Sequence, residues 1–72
     1  MTTEVTTKVP GNIWKVLVKE GDQVQKGDIL FIMEVMKTEV NHDAPVDGKI
    51  FKVNIVNDQE GVDPGIIAII IE

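Results

Sequence analysis

The second half of this chain repeats the first. With a shift of 37 positions Gly11 falls on Gly48, Ile13 on Ile50, Trp14 on Phe51, Lys15 on Lys52 and Val16 on Val53. After one inserted residue the shift becomes 38, and Val24 meets Val62, Gly27 meets Gly65, Ile29 meets Ile67, Ile32 meets Ile70 and Glu34 meets Glu72. A unit of about 35 residues leaves an apolar face exposed and cannot stand alone. Two such units, related by a pseudo-twofold axis, bury those faces against each other. The whole chain of 72 residues is then one domain built from two half-domains.

The units read as strands. Ile13–Val18 alternates, which puts Trp14, Val16 and Val18 on one face and Lys15 and Leu17 on the other. Ile50–Ile55 repeats the pattern with Phe51, Val53 and Ile55 against Lys52 and Asn54, so Trp14 and Phe51 are expected in the core. Ile29–Met33 and Ile66–Ile71 have fewer polar breaks and are expected to be buried more fully. Turn signals separate these runs at Pro10-Gly11, Gly21-Asp22, Gly27-Asp28, Asp47-Gly48, Gly61 and Pro64-Gly65. Asp22, Asp28, Asp43, Asp47, Asp58 and Asp63 sit in turn contexts. No window carries a helical period with a cap and a stop. The expected fold is all-β, a flattened barrel or sandwich of two antiparallel four-stranded sheets, with residues 1–7 as a flexible N-terminal segment.

Composition removes several functions. A net charge of −5 leaves nothing to neutralise a row of phosphates, so nucleic acid is excluded as a partner. With no cysteine and one histidine, neither disulfides nor a structural zinc site can staple the core. His42 has no nucleophile beside it and is expected at the surface. Ile66–Ile71 is far too short to cross a bilayer, and Met1–Pro10 has no apolar stretch after basic residues. The chain reads as soluble and cytoplasmic, with no membrane partner.

The junction of the two units is Val35-Met36-Lys37-Thr38, at the midpoint of the sequence. Phe31–Val40 contains no Gly, Pro, Asn or Asp, so propensity alone would run one long strand through it. The repeat demands a reversal there, because each unit closes with its own terminal strand. A two-residue hairpin would hold ordinary residues at positive φ, costing about 1–3 kcal/mol each. Lys37 then lies at one pole of the molecule and the chain ends at the other.

Glu34-Val35-Met36-Lys37 resembles the attachment motif of the biotinyl/lipoyl attachment domain family, and most closely that of its biotin carboxyl carrier domains, where the pattern is Glu-Ala-Met-Lys-Met. The resemblance runs from about Lys8 to Glu72. It takes in Pro10-Gly11, the run Val18–Asp28, the run Ala44–Ile50, and Ile71 as the hydrophobic residue that follows the lysine at the end of the domain. It implies a lipoyl-like flattened barrel with the modifiable lysine on a protruding turn. Lys37 would carry covalent biotin, placed there by a biotin protein ligase, and Glu34, Val35, Met36 and Thr38 would form the turn that the ligase reads. The domain would shuttle a carboxyl group between biotin carboxylase and carboxyltransferase components, as in an acetyl-CoA carboxylase, as a carrier and not as an enzyme. Val35 stands where Ala or Ser is usual and Thr38 where Met or Leu is usual. Lipoyl domains place Asp before the lysine, so Met36 favours biotin over lipoate.

Two alternatives stand beside this. One is a lipoyl carrier of a 2-oxoacid dehydrogenase or glycine-cleavage type system. The other is a structural module with a lipoyl-like fold and no cofactor. The latter usually splits its halves around a long helical hairpin, which this sequence lacks.

Overall fold

The computed structural model describes residues 2–72. Among these, every regular element is a strand: β1 (Thr3–Thr6), β2 (Asn12–Val16), β3 (Gln23–Val24), β4 (Ile29–Val35), β5 (Thr38–Asp43), β6 (Gly48–Val53) and β7 (Ile67–Ile71). They form two antiparallel sheets, one in the order β1-β7-β6-β3 and one in the order β2-β4-β5. The two-sheet sandwich is as expected, but the second sheet has three strands. Its fourth member is reduced to a single bridge between Gly11 and Val62. That bridge is the symmetry mate of the Val24–Gly48 pair between β3 and β6.

The repeat seen in the sequence recurs in the hydrogen bonds. Ile13 N–H donates to the Gln59 carbonyl at 2.7 Å, and Ile50 N–H to the Asp22 carbonyl at 2.8 Å. Leu17 N–H to Leu30 (2.9 Å) is matched by Asn54 N–H to Ala68 (2.8 Å), and Gly27 N–H to Ala44 (2.9 Å) by Gly65 N–H to Thr7 (2.8 Å). Between the sheets lie Ile13, Leu30, Phe31, Met33, Ile50, Ile69 and Ile71, all fully enclosed. Burying each such side chain stabilises the fold by about 1.5–3 kcal/mol. Aliphatic packing therefore supplies the cohesion that cysteine or metal would supply elsewhere. Two aspartates close turns as expected, Asp22 accepting from Lys19 N–H and Asp28 from Gln25 N–H, whereas Asp47 accepts from the distant Lys26 N–H and links two loops.

Three expectations need correction. Residues 3–6 are not a flexible segment. They form β1, which pairs with β7 from Thr3↔Ile71 to Thr6↔Ile67 and buries Val5, while Met1 lies outside the described residues. β1 is the symmetry mate of β5. Trp14 and Phe51 are not core residues, being 42% and 54% exposed. The cause is a matched pair of β-bulges. Ile13 faces Met33 and the next pair is Lys15–Ile32; Ile50 faces Ile71 and the next pair is Lys52–Ile70. Each bulge inserts an unpaired aromatic residue and breaks the alternation that the sequence pattern assumes.

His42 is not at the surface. Its ring is fully buried and stacks on Phe31 with centroids 4.4 Å apart. The Lys8 N–H donates to Nε2 at 3.1 Å, so Nε2 keeps its lone pair and the neutral ring carries its proton on Nδ1. Nδ1 is buried and makes no hydrogen bond. Burial holds the imidazole below its ordinary 6.5, and the nearby Lys8 charge adds to this. The Val40 backbone and Asp43 oppose it without reversing it. In the unfolded chain the ring takes up a proton more readily than in the fold. His42 therefore contributes stability above about pH 6.5 that is lost as pH falls below that value. The urea midpoint should drop between about pH 7.5 and about pH 5, and His42→Phe should show a much smaller drop. Equal drops in the two proteins would remove His42 as the cause.

Candidate functional site

β4 and β5 run antiparallel from Ile29↔Asp43 to Val35↔Thr38, which leaves Met36 and Lys37 as a two-residue loop. Both residues have positive φ, 50° and 66°. This is the type I′ signature, whose twist matches that of the flanking strands and which normally calls for Asn-Gly. The reversal expected from the repeat is present, without the residues that would make it easy.

A second cost sits one pair below. Glu34 and Glu39 face each other directly across the strands, and like charges in that arrangement are destabilising. Met36 is 93% exposed, so it gains nothing from packing. Lys37, Glu34 and Thr38 are exposed, and Val35 is half-buried. The Lys37 amine is thus offered to solvent at the tip of a hairpin held rigidly at its base. The five residues singled out in the sequence are contiguous here.

The base is held by a contact that the sequence hinted at only through the Gly11–Gly48 match. A Cβ on Gly11 would lie 2.6 Å from the Glu34 carbonyl oxygen and 2.8 Å from Val35 Cγ2. Gly11 is in turn fixed by two backbone hydrogen bonds with Val62, at 3.0 and 2.8 Å. Beside the hairpin, Asn12, Ile13, Trp14, Glu34, Asp58 and Glu60 line a shallow cleft. Only the bulge at Trp14 brings that ring there, so strand alternation alone could not have found it. Among the described residues no group of His, Cys, Asp and Glu is placed to hold a metal ion.

If the strain is local to the turn, replacing Met36-Lys37 by Asn-Gly should stabilise the domain by about 1–3 kcal/mol in urea unfolding. Unchanged or lower stability would show that the turn is relaxed as it stands.

Comparison with known proteins agrees with this geometry. Residues 1–71 match the family described as "Biotin-requiring enzyme". The chain is 41% identical over 61 residues to the methylcrotonoyl-CoA carboxylase subunit alpha, mitochondrial, of Dictyostelium discoideum, covering 78% of this chain and 9% of that protein. It is 38% identical over 55 residues to a biotinylated protein TB7.3 homolog of Mycobacterium leprae, covering 76% of this chain and 78% of that one. The crystal structure of the Kluyveromyces lactis urea carboxylase superposes with a TM-score of 0.90 at 30% identity, over 100% of this chain and 6% of that one. Against the carboxylases the chain spans less than a tenth of the relative's length. A match over nearly the whole chain, with a lysine-tipped hairpin between two half-domains, places this chain in the biotin/lipoyl attachment family of biotin-requiring proteins.

Proposed function

We propose that this chain is a biotin carboxyl carrier domain, and that the Lys37 Nζ is its point of biotin attachment. The observation that carries this is the type I′ turn. Two ordinary residues are held at positive φ with their side chains in water, at a cost the fold does not recover. Such strain persists where the presented residue has a task. The family match and the biotinylated mycobacterial relative support biotin as the group concerned.

The residues fit that group. An exposed primary amine can form an amide with the biotin carboxyl group, and Lys37 is exposed among the described residues. Lys37 gives up one proton, and its nitrogen attacks the carbonyl carbon of biotinyl-adenylate. A C–N bond forms and the adenylate leaves. The ligase supplies the activation, so this chain needs no catalytic base of its own. Met36, Glu34, Val35 and Thr38 give the turn the shape that the ligase reads. Bound there, biotin supplies a ureido nitrogen able to hold a carboxyl group.

The hairpin then acts as the rigid base of a flexible arm, which keeps the carried group at high local concentration near two successive sites. Those sites are the biotin carboxylase and carboxyltransferase parts of a carboxylase, as the named relatives suggest. The domain itself carries and does not catalyse.

Co-expression with a biotin protein ligase should add one biotin, found by peptide mapping on Lys37. Lys37→Ala should remain folded and gain no biotin. Lipoate added by a lipoyl ligase, with no biotin from its counterpart, would move the domain to the dehydrogenase-type systems. Loss of folding in Lys37→Ala would contradict the view that Lys37 serves presentation alone.

A further inference from the structure

The two methionines within the described residues are opposites. Met33 is fully enclosed in the core, while Met36, three residues along the same hairpin, is 93% exposed. Among the described residues none encloses the Met36 side chain. It makes no core contact, and its φ of 50° favours Asn or Gly. An apolar thioether is thus held in water directly beside the exposed Lys37 amine, where an enzyme acting on that amine would have to meet it. The sulfur is also the most accessible oxidisable group next to Lys37.

We propose that Met36 is a peroxide-sensitive modification site, and that its oxidation to the sulfoxide blocks acylation of Lys37. The proposal rests on the carrier reading given above and adds a control to it. The thioether sulfur donates an electron pair to one oxygen of hydrogen peroxide. The O–O bond breaks, an S–O bond forms and the remaining oxygen leaves as water. Sulfur is oxidised by two electrons and peroxide is reduced by two. The product is polar and chiral where the thioether was apolar. Enclosing it in a pocket shaped for a thioether leaves the sulfoxide oxygen without a hydrogen-bond partner, and acylation slows by about tenfold or more. Met33 is shielded by the sandwich and stays reduced, so the fold survives the treatment. A thiol-dependent sulfoxide reductase reverses the change, its thiols passing to a disulfide as the oxygen leaves in water.

The test uses the folded domain treated with hydrogen peroxide until about half the molecules carry one added oxygen. It is then given a biotin protein ligase, biotin and ATP, and followed by intact mass. Peptide mapping should place the oxygen on Met36 and not on Met33. The unoxidised molecules should gain biotin about tenfold faster than the oxidised ones in the same tube, and sulfoxide reductase should restore the slow fraction. In Met36→Leu, peroxide treatment should leave that variant's own labelling rate unchanged. Equal rates in the two fractions would overturn the proposal, as would a peroxide effect that persists in Met36→Leu, which would assign the damage to Trp14 or elsewhere. Failure of even the unoxidised fraction to take biotin would instead overturn the carrier reading, and this proposal with it.

Discussion

Two close approaches of backbone to backbone organise this molecule. At Gly11 one half-domain passes so near the Glu34 carbonyl that a Cβ would lie 2.6 Å from it. At Gly48 the other half-domain does the same against the Glu72 carbonyl, again at 2.6 Å. No side chain can be accommodated at such a distance without moving main chain, so glycine at both places is a packing requirement. Each crossing ties the start of one unit to that unit's own terminal strand.

The symmetry of the crossings separates what the fold needs from what the function needs. Gly48 braces no lysine-tipped hairpin, so its counterpart Gly11 is also there for the fold, even though it braces the Lys37 hairpin. The hairpin has no symmetry mate. Positive φ at two non-glycine residues and the facing Glu34–Glu39 pair belong to one pole alone. At the matched turns elsewhere the positive-φ position holds Gly21, at 96°, in one half and Asp58, at 61°, in the other, both residue types that tolerate this region as Met and Lys do not. Strain at Met36-Lys37 is therefore local, and it is retained on a frame whose stability lies elsewhere.

Much of this was legible in residue spacing. The repeat required a reversal at Met36-Lys37 against local propensity, and the reversal is there. Other features were hidden for identifiable reasons. The bulges at Trp14 and Phe51 shift register by one residue, which a period-two reading has no means of seeing. β1 is rich in threonine and looks like a tail; its place is set by pairing with β7, a partner more than sixty residues away in the chain. His42 stands where the other half has Val5. Its burial depends on stacking against Phe31 and on a hydrogen bond from Lys8 N–H, both tertiary contacts. The Glu34-Val35-Met36-Lys37 motif pointed to the site, and only the backbone angles showed how that site is presented.

A two-sheet frame presents Lys37 on a strained turn, and modification of Lys37 should leave that frame unchanged. Amide NMR spectra of the domain before and after treatment with biotin protein ligase test this most directly. Couplings at Met36 and Lys37 should be those of positive φ, and shifts on modification should be confined to Val35–Thr38 and its immediate neighbours. Changes spread through β6 and β7, or couplings at the turn that report negative φ, would contradict it.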